Sequence, residues 1–257
     1  MAYPILSPRH VTPEQRAARA GRCALAVMAK APRAGRVKTR LSPPLTLAQT
    51  AALNICFLRD TTENLVALCK GREADALLCY TPVGEESTFD GILPESFPLV
   101  PQRGVLFGER LLCASEDILA LGYAAVCLID SDSPTVPAAA FIEAITLLTD
   151  PTATSTRAVL GPSDDGGYYL IGLRHPHPEP FTNITWSTAV VAQETRAHSG
   201  HLDLHELPLW YDVDDAPTLD LLRSELLDGV SPPFATQPGY PAPATRAFLA
   251  ALQAVRT

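Results

Sequence analysis

Two aspartates two residues apart, Asp130 and Asp132, follow an apolar run over residues 124–129 and precede Pro134. In extended geometry residues i and i+2 project to one side, about 6.5–7 Å apart along the chain. Carboxylates so placed can seat a divalent cation that holds phosphate oxygens. They serve equally as turn and cap residues ahead of the helix expected over 137–148, and the pair alone does not separate the two roles. A second acidic group, Asp212-Val213-Asp214-Asp215, ends another apolar stretch. There Asp215 suits a helix N-cap, which leaves Asp214 free to face the same edge as Asp132.

The opposite charge is concentrated in residues 30–40, which carry five basic residues in a chain of net charge −8. A short basic loop with Pro and Gly after a first strand is where α/β nucleotide binders place phosphate. A solvated surface loop is the alternative. The segment lacks the first glycine of a P-loop and is not a dinucleotide fingerprint. Lys30, Gly35, Lys38, Thr39 and Arg40, with Gln102 from the loop-rich stretch 81–104, are the candidate phosphate contacts. In Asp164-Asp165-Gly166-Gly167 the glycines would let a ligand approach the backbone closely, although a hairpin turn between two strands explains the same residues and is the stronger signal. Trp186 could stack on a base or sugar, or pack in a core. His198, His201 and His205 fit no common zinc spacing, and no cysteine or carboxylate completes the set.

These residues need a frame, and the apolar pattern supplies one. Strands are expected over 23–29, 74–80, 124–129, 157–160, 168–173 and 207–213. Helices are expected over 46–70, where Thr46 and Gln49 form a capping box, and over 108–121, 137–148, 188–197, 217–227 and 244–255. Alternation of strand and helix at this spacing predicts βαβ units, a mainly parallel sheet and helices on both faces. Ligands of such sheets bind beyond the carboxyl ends of the strands, where the acidic and basic motifs fall. Residues 1–21 read as a flexible extension, 22–257 as one domain, and 231–243 as a Pro-rich linker.

Composition narrows the classes. With 47% hydrophobic and 19% charged residues the chain is typical of soluble globular proteins. No apolar stretch is long enough to span a membrane, and the N-terminus lacks the order of a signal peptide. Net negative charge argues against general nucleic-acid binding. Six cysteines without C-x-x-C spacing fit buried thiols in a reducing cytosol, which predicts a cytoplasmic protein.

The motifs together resemble a known family. MAKAPRAGRVKTRLSPPLT, FGERL, SDSP, GPSDDGGYYLIGL, ITWST and DVDD occur here in the order found in DUF2064, the selenodomain-associated transferases, whose fold is that of the nucleotide-diphospho-sugar transferases (GT-A). More distantly the chain is similar to phospholactate and molybdenum-cofactor guanylyltransferases. The resemblance implies a GT-A Rossmann-like α/β sandwich. It implies that Lys38 and Arg40 meet nucleotide phosphates, that Asp132 and Asp214 bind Mg²⁺ or Mn²⁺, and that Asp165, Gly166 and Gly167 lie on the acceptor or sugar side, where Trp186 is also placed. Asp132, Lys38 and Asp165 become the candidate catalytic residues. Two positions depart from the pattern. Asp130 replaces a usual glycine, adding a third candidate ligand or a tolerated change, and Asp215-Ala216-Pro217-Thr218 replaces Thr-Pro-Glu-Asp and weakens the cap.

Three functions follow as expectations: glycosyl transfer from a nucleotide-diphosphate sugar to a small acceptor, nucleotidyl transfer from a nucleoside triphosphate with pyrophosphate release, and nucleotide binding without turnover. The D-x-D pair and the family description favour the first, and the basic loop favours the second. The partners expected are a nucleotide or nucleotide sugar and a small acceptor. A homodimer is compatible with this reading.

Overall fold

Apolar residues on both sides of one strand dictate the layering. In β1 (Cys23–Lys30), Cys23, Leu25, Val27 and Ala29 enter one buried cluster, while Ala24 and Ala26 enter another. A strand covered on both faces must sit centrally in a sheet with helices on each side. The computed structural model, which describes residues 3–254, shows that arrangement. Seven strands run in the order β3-β2-β1-β4-β6-β5-β7. They are β2 (Ala74–Thr81), β3 (Leu99–Pro101), β4 (Ala125–Ile129), β5 (Arg157–Pro162), β6 (Tyr168–Leu173) and β7 (Asp203–Glu206), with β1 near the centre. Pairing is parallel for β1 with β2 and β4, β2 with β3, and β5 with β7, and only β6 runs against its neighbours.

One face of the sheet is covered by α2 (Leu47–Cys69), α4 (Ala138–Thr149) and α7 (Pro243–Ala254), the other by α3 (Phe107–Ala120). α5 (Val191–His198) and α6 (Ala216–Arg223) complete the set. The capping box expected at Thr46 forms: Gln49 N–H donates to Thr46 Oγ1 at 3.2 Å, and Thr46 N–H to Gln49 Oε1 at 2.8 Å. The single-domain α/β architecture read from the sequence is the one observed.

Several expectations need correction. Residues 3–21 are docked on the domain. Leu6 N–H donates to Leu99 O at 2.7 Å and Leu99 N–H to Pro4 O at 2.9 Å, so the segment adds a bridge to edge strand β3. A helix unread in the sequence, α1 (Pro13–Arg19), lies against the end of α3, where Arg19 donates to Leu121 O at 3.2 Å. A Cβ at Gly122 would stand 2.7 Å from Arg16 Cα, so the close approach requires glycine. The strand expected over 207–213 is instead the short edge strand β7, followed by an extended segment. Pro208 has no N–H to continue the ladder, and the polar run Asp203-Leu204-His205-Glu206 hides a strand whose charges guard a sheet edge. β3 was hidden in the same way, by the prolines and glycines around three apolar residues. The helix after Asp215 ends at Arg223 and passes into a π-helical turn, Ser224–Asp228. The Pro-rich stretch is packed as well, with the Phe234 ring centroid 6.2 Å from those of both Trp210 and Tyr211.

A docked N-terminus has a measurable consequence. Deleting residues 1–21 removes the bridge to β3 and the contacts of Leu6 and Val11 with the apolar cluster under α3. The expected result is a fall in thermal midpoint of roughly 5 °C or more, read by calorimetry. An unchanged midpoint would mean that the segment is a free extension.

Candidate active site

Because β1, β4 and β5 point the same way and β6 runs back, the ends of three strands and the start of a fourth meet at one sheet edge. The segments 30–40, 130–134, 163–167 and 207–215 therefore come together, although they are remote in sequence. They enclose a cavity of about 550 Å³. Its lining includes five carboxylates, those of Asp130, Asp132, Asp165, Asp212 and Asp214, together with Arg40, Gly167 and the aromatic side chains of Phe107, Tyr168 and Trp186.

Asp132 and Asp214 converge on one ammonium. Lys38 Nζ lies 2.9 Å from Asp132 Oδ2 and 2.8 Å from Asp214 Oδ1, and donates to Val213 O at 2.8 Å. Its side chain is only 3% exposed. Burial disfavours the charged amine, but the two aspartates outweigh burial and hold the Lys38 pKa above its ordinary value. Lys38 adopts left-handed backbone geometry, φ 49°, just before the 3-10 turn Thr39–Leu41, a conformation that costs a non-glycine residue about 1–2 kcal/mol. Three polar contacts offset that cost. Arg40 is 69% exposed and lies 3.5 Å from Asp214. Burial pushes Asp214 up, yet Lys38 and Arg40 together hold it below the usual carboxylate range.

The position of Asp214 rests on aromatic anchors. Trp210 and Tyr211 are fully buried, and Trp210 Nε1 donates to Thr135 Oγ1 at 3.1 Å. Val213 N–H donates to Asp132 O at 3.0 Å, which sews the acidic segment directly to the loop after β4. Behind it the cap is complete despite its unusual residues: Thr218 N–H donates to Asp215 Oδ1 at 3.0 Å, and Asp215 N–H to Thr218 Oγ1 at 3.1 Å. The expected weakening at Asp215 is absent, because a threonine hydroxyl accepts in place of a longer side chain.

Asp130 plays a different part from Asp132. Its N–H donates to Tyr169 O at 3.0 Å and its Oδ2 accepts from Ser133 Oγ at 2.6 Å. Burial first, and the neighbouring Asp132 second, push its carboxyl well above the usual range. Asp212 was not singled out as a site residue. It accepts from Ser163 Oγ at 3.1 Å, and burial, with Asp165 and Asp214 nearby, pushes it up to about 7. The signal was available, since Asp212 and Asp214 repeat the i, i+2 spacing of Asp130 and Asp132 in an extended segment.

Asp164-Asp165-Gly166-Gly167 is both a hairpin turn and part of the site. Gly167 N–H donates to Asp165 Oδ1 at 2.7 Å. At Gly166, φ is +90° and a Cβ would lie 2.0 Å from Ala189 O, so no side chain fits there. Trp186 lines the cavity edge-on to Phe107, with centroids 4.9 Å apart. Lys30, Gly35, Thr39 and Gln102 are not brought to the cavity wall. Lys30 and Gly35 are exposed, Thr39 opens the 3-10 turn, and the Gln102 amide is bound to Cys79 O at 2.7 Å and Ala29 O at 3.3 Å. Gln102 thus ties the ends of β1 and β2 and has no spare donor aimed at phosphate.

Comparison with known proteins agrees with the motif reading. The family model described as "uncharacterized protein conserved in bacteria (DUF2064)" matches residues 64–188, so the resemblance stands over that span. A Desulfovibrio desulfuricans G20 protein, provisionally described as a nucleotide-diphospho-sugar transferase, is similar in structure with a TM-score of 0.73 and 28% identity, covering 92% of this chain and 96% of its own. The 4-diphosphocytidyl-2C-methyl-D-erythritol synthase of Anaerococcus prevotii DSM 20548 shares the fold, with a TM-score of 0.50 and 12% identity over 82% of this chain and 98% of its own. No curated protein matches the chain significantly.

The raised Asp212 carboxyl sets a pH test. In the unfolded chain an aspartate ionises near its ordinary value, whereas here it keeps its proton to about 7. The folded state therefore binds the extra proton, and its stability falls as pH rises between those two values. Asp212→Asn should stabilise the metal-free protein at pH 8, by at most about 4 kcal/mol, with the gain shrinking toward pH 4. Denaturant titrations of both proteins at the two pH values would check this. An equal difference at both would refute it.

Proposed function

We propose that this chain, with its likeness to the DUF2064 family over residues 64–188, is a nucleotide-dependent transferase that moves a glycosyl group from a nucleotide-diphosphate sugar to a small acceptor. One observation carries the reading. Carboxylates from the loop after β4 and from the segment before α6, both on the cavity wall, already point their oxygens at a single positive charge buried behind it.

The donor set fits a hard divalent cation. Asp132 and Asp214 offer only oxygen ligands, and among the described residues the ion pairs made by the five cavity carboxylates are those of Asp132 and Asp214 with Lys38 and Arg40. Asp132 and Asp214 would hold Mg²⁺ or Mn²⁺, with Asp130 or Asp212 able to join after losing a proton. A divalent ion there supplies Lewis-acid neutralisation of the donor's phosphates. Arg40, exposed beside Asp214, would pair with a phosphate oxygen and stabilise charge on the departing nucleoside diphosphate. Asp165, across the cavity at the Gly-Gly turn, would accept the proton of the attacking acceptor hydroxyl. Trp186 and Phe107 would exclude water and stack on the sugar or acceptor.

The charge of the site favours glycosyl over nucleotidyl transfer. Breaking a sugar C1–O bond develops positive charge on the ring, and an acid-lined cavity stabilises such charge. A triphosphate would bring more negative charge into a site whose best-placed ammonium, Lys38, is already paired with two carboxylates. Nucleotidyl transfer keeps one observation in its favour, the exposed basic residues Lys30, at the end of β1, and Arg36 and Arg40 in the loop after it.

Incubation of nucleotide sugars, and separately of nucleoside triphosphates, with a mixture of small hydroxyl-bearing acceptors and Mg²⁺, followed by phosphorus NMR, should give nucleoside diphosphate and glycosylated acceptor from the former. Pyrophosphate from a triphosphate, without turnover of any nucleotide sugar, would reverse the assignment. In the same assay Asp132→Asn should lower turnover at least about 100-fold, while circular dichroism shows the fold retained. Full activity in that variant would remove Asp132 from the site.

A further inference from the structure

At the opposite end of the sheet from the acidic cavity, where β6 ends and β7 begins, the fold brings a residue from the α5–β7 turn to two that lie side by side after β6. His177, Glu179 and His201 each present a ligand atom, and these atoms lie within 4.8 Å of one another. We propose that they form a second metal site, separate from the cavity, that takes Zn²⁺ or a similar borderline-soft divalent ion.

Two imidazoles and one carboxylate are a donor set suited to zinc and poorly suited to Mg²⁺. At zinc–nitrogen and zinc–oxygen distances near 2.0–2.2 Å, tetrahedral ligand atoms stand roughly 3.3–3.5 Å apart. His201 Nε2 and Glu179 Oε2 are already 3.6 Å apart, and with all three ligand atoms within 4.8 Å of one another, closure onto an ion needs about 1 Å of side-chain movement. The backbone is set for this. His177 and Glu179 alternate with Pro176, Pro178 and Pro180, which restrict φ, and Phe181 N–H closes the turn on Pro178 O at 3.1 Å. His201 sits in the tight connection between α5 and β7, where Leu202 N–H donates to Ser199 O at 2.8 Å.

The hydrogen bond expected of a metal-binding histidine is also present. His177 Nε2 lies 3.3 Å from the Ser155 carbonyl. With Nε2–H donated there, the Nδ1 lone pair is left for a ligand, as a backbone carbonyl does for histidines that bind metals. The His177 and His201 rings face each other edge-on at 5.5 Å, and Glu179 Oε2 lies 3.6 Å from His201 Nε2. The ion would tie the segment 174–187, which runs on to Trp186 at the cavity, to the α5–β7 turn. Sequence spacing grouped His201 with His198 and His205, but the chain reversal after β6 supplies its partners instead.

Titrating the whole protein with Co²⁺ at pH 7.5, with excess Mg²⁺ to occupy the acidic cavity, tests the site. The expected result is one equivalent of Co²⁺ with visible d–d absorption, displaced by Zn²⁺. Binding should weaken at least about tenfold in His177→Ala and His201→Ala, and stay unchanged in His205→Ala. All three positions lie at the surface, and thermal melts confirm that the variants fold. Zn²⁺ should raise the thermal midpoint of the native protein by roughly 5 °C and leave that of His177→Ala unmoved. Absence of Co²⁺ absorption, or equal affinity in His177→Ala, would overturn the site. Binding without a thermal shift would overturn its role in joining the two segments.

Discussion

The ammonium of Lys38 holds the two halves of the acidic edge together. It is almost fully buried and contacts Asp132, Asp214 and the Val213 carbonyl, so it links the loop after β4 to the segment before α6. Without a cation at that point, two half-buried carboxylates would face each other at the cavity wall. Repulsion between them would either force protons on or push the loops apart. The left-handed backbone at Lys38 is the local sign of that demand. The chain accepts an unfavourable φ so that a long side chain can reach inward from a loop that otherwise faces solvent.

This interaction depends on the topology of the sheet. Parallel β1 and β4 deliver the basic loop and the Asp130–Asp132 turn to the same edge. The reversed β6 allows a short hairpin to bring Asp165 and the two glycines there as well. A right-handed crossover between parallel strands would have needed a helix at that point and would have left no tight turn beside the cavity. The last contribution comes from no strand at all. Residues 207–213 leave the sheet at Pro208, are pinned by Trp210 and Tyr211, and end on the Asp132 carbonyl.

Much of this was legible in the residues because strands buried on both faces and capped helices carry strong local signals. Residues 23–29 and Ala125–Ile129 are apolar throughout, and Thr46 with Gln49 announces its helix. The site was legible where one segment held both the acid and its spacing, as at Asp132 and Asp214. It was not legible where tertiary contact decides the role. Lys38 looks like a phosphate ligand in a basic loop, and only the fold shows its charge directed to two aspartates. Gln102 looks free, and only the fold shows two backbone carbonyls on its amide. The docking of the N-terminus leaves little local trace because its hold on the domain is one bridge, a few scattered apolar side chains (Tyr3, Leu6, Val11) and arginine contacts, with no apolar periodicity of its own.

The departure at Asp130 clarifies how an edge so rich in acid remains folded. Asp130 and Asp132 share a D-x-D spacing but not an environment. Asp132 meets Lys38, whereas Asp130 is buried behind Ser133 and its carboxyl is pushed strongly toward the neutral form. Asp212 is shifted the same way, to about 7. The cavity therefore balances itself by two devices, a buried ammonium for one pair of aspartates and, for Asp130 and Asp212, surroundings that favour the neutral carboxyl. A divalent ion entering between Asp132 and Asp214 would disturb both devices together. It would compete with Lys38 for oxygen and lower the cost of ionising Asp130 and Asp212, so that protons leave as the ion arrives. With an ion bound there, Asp130 would supply a further negative charge that a glycine at that position could not.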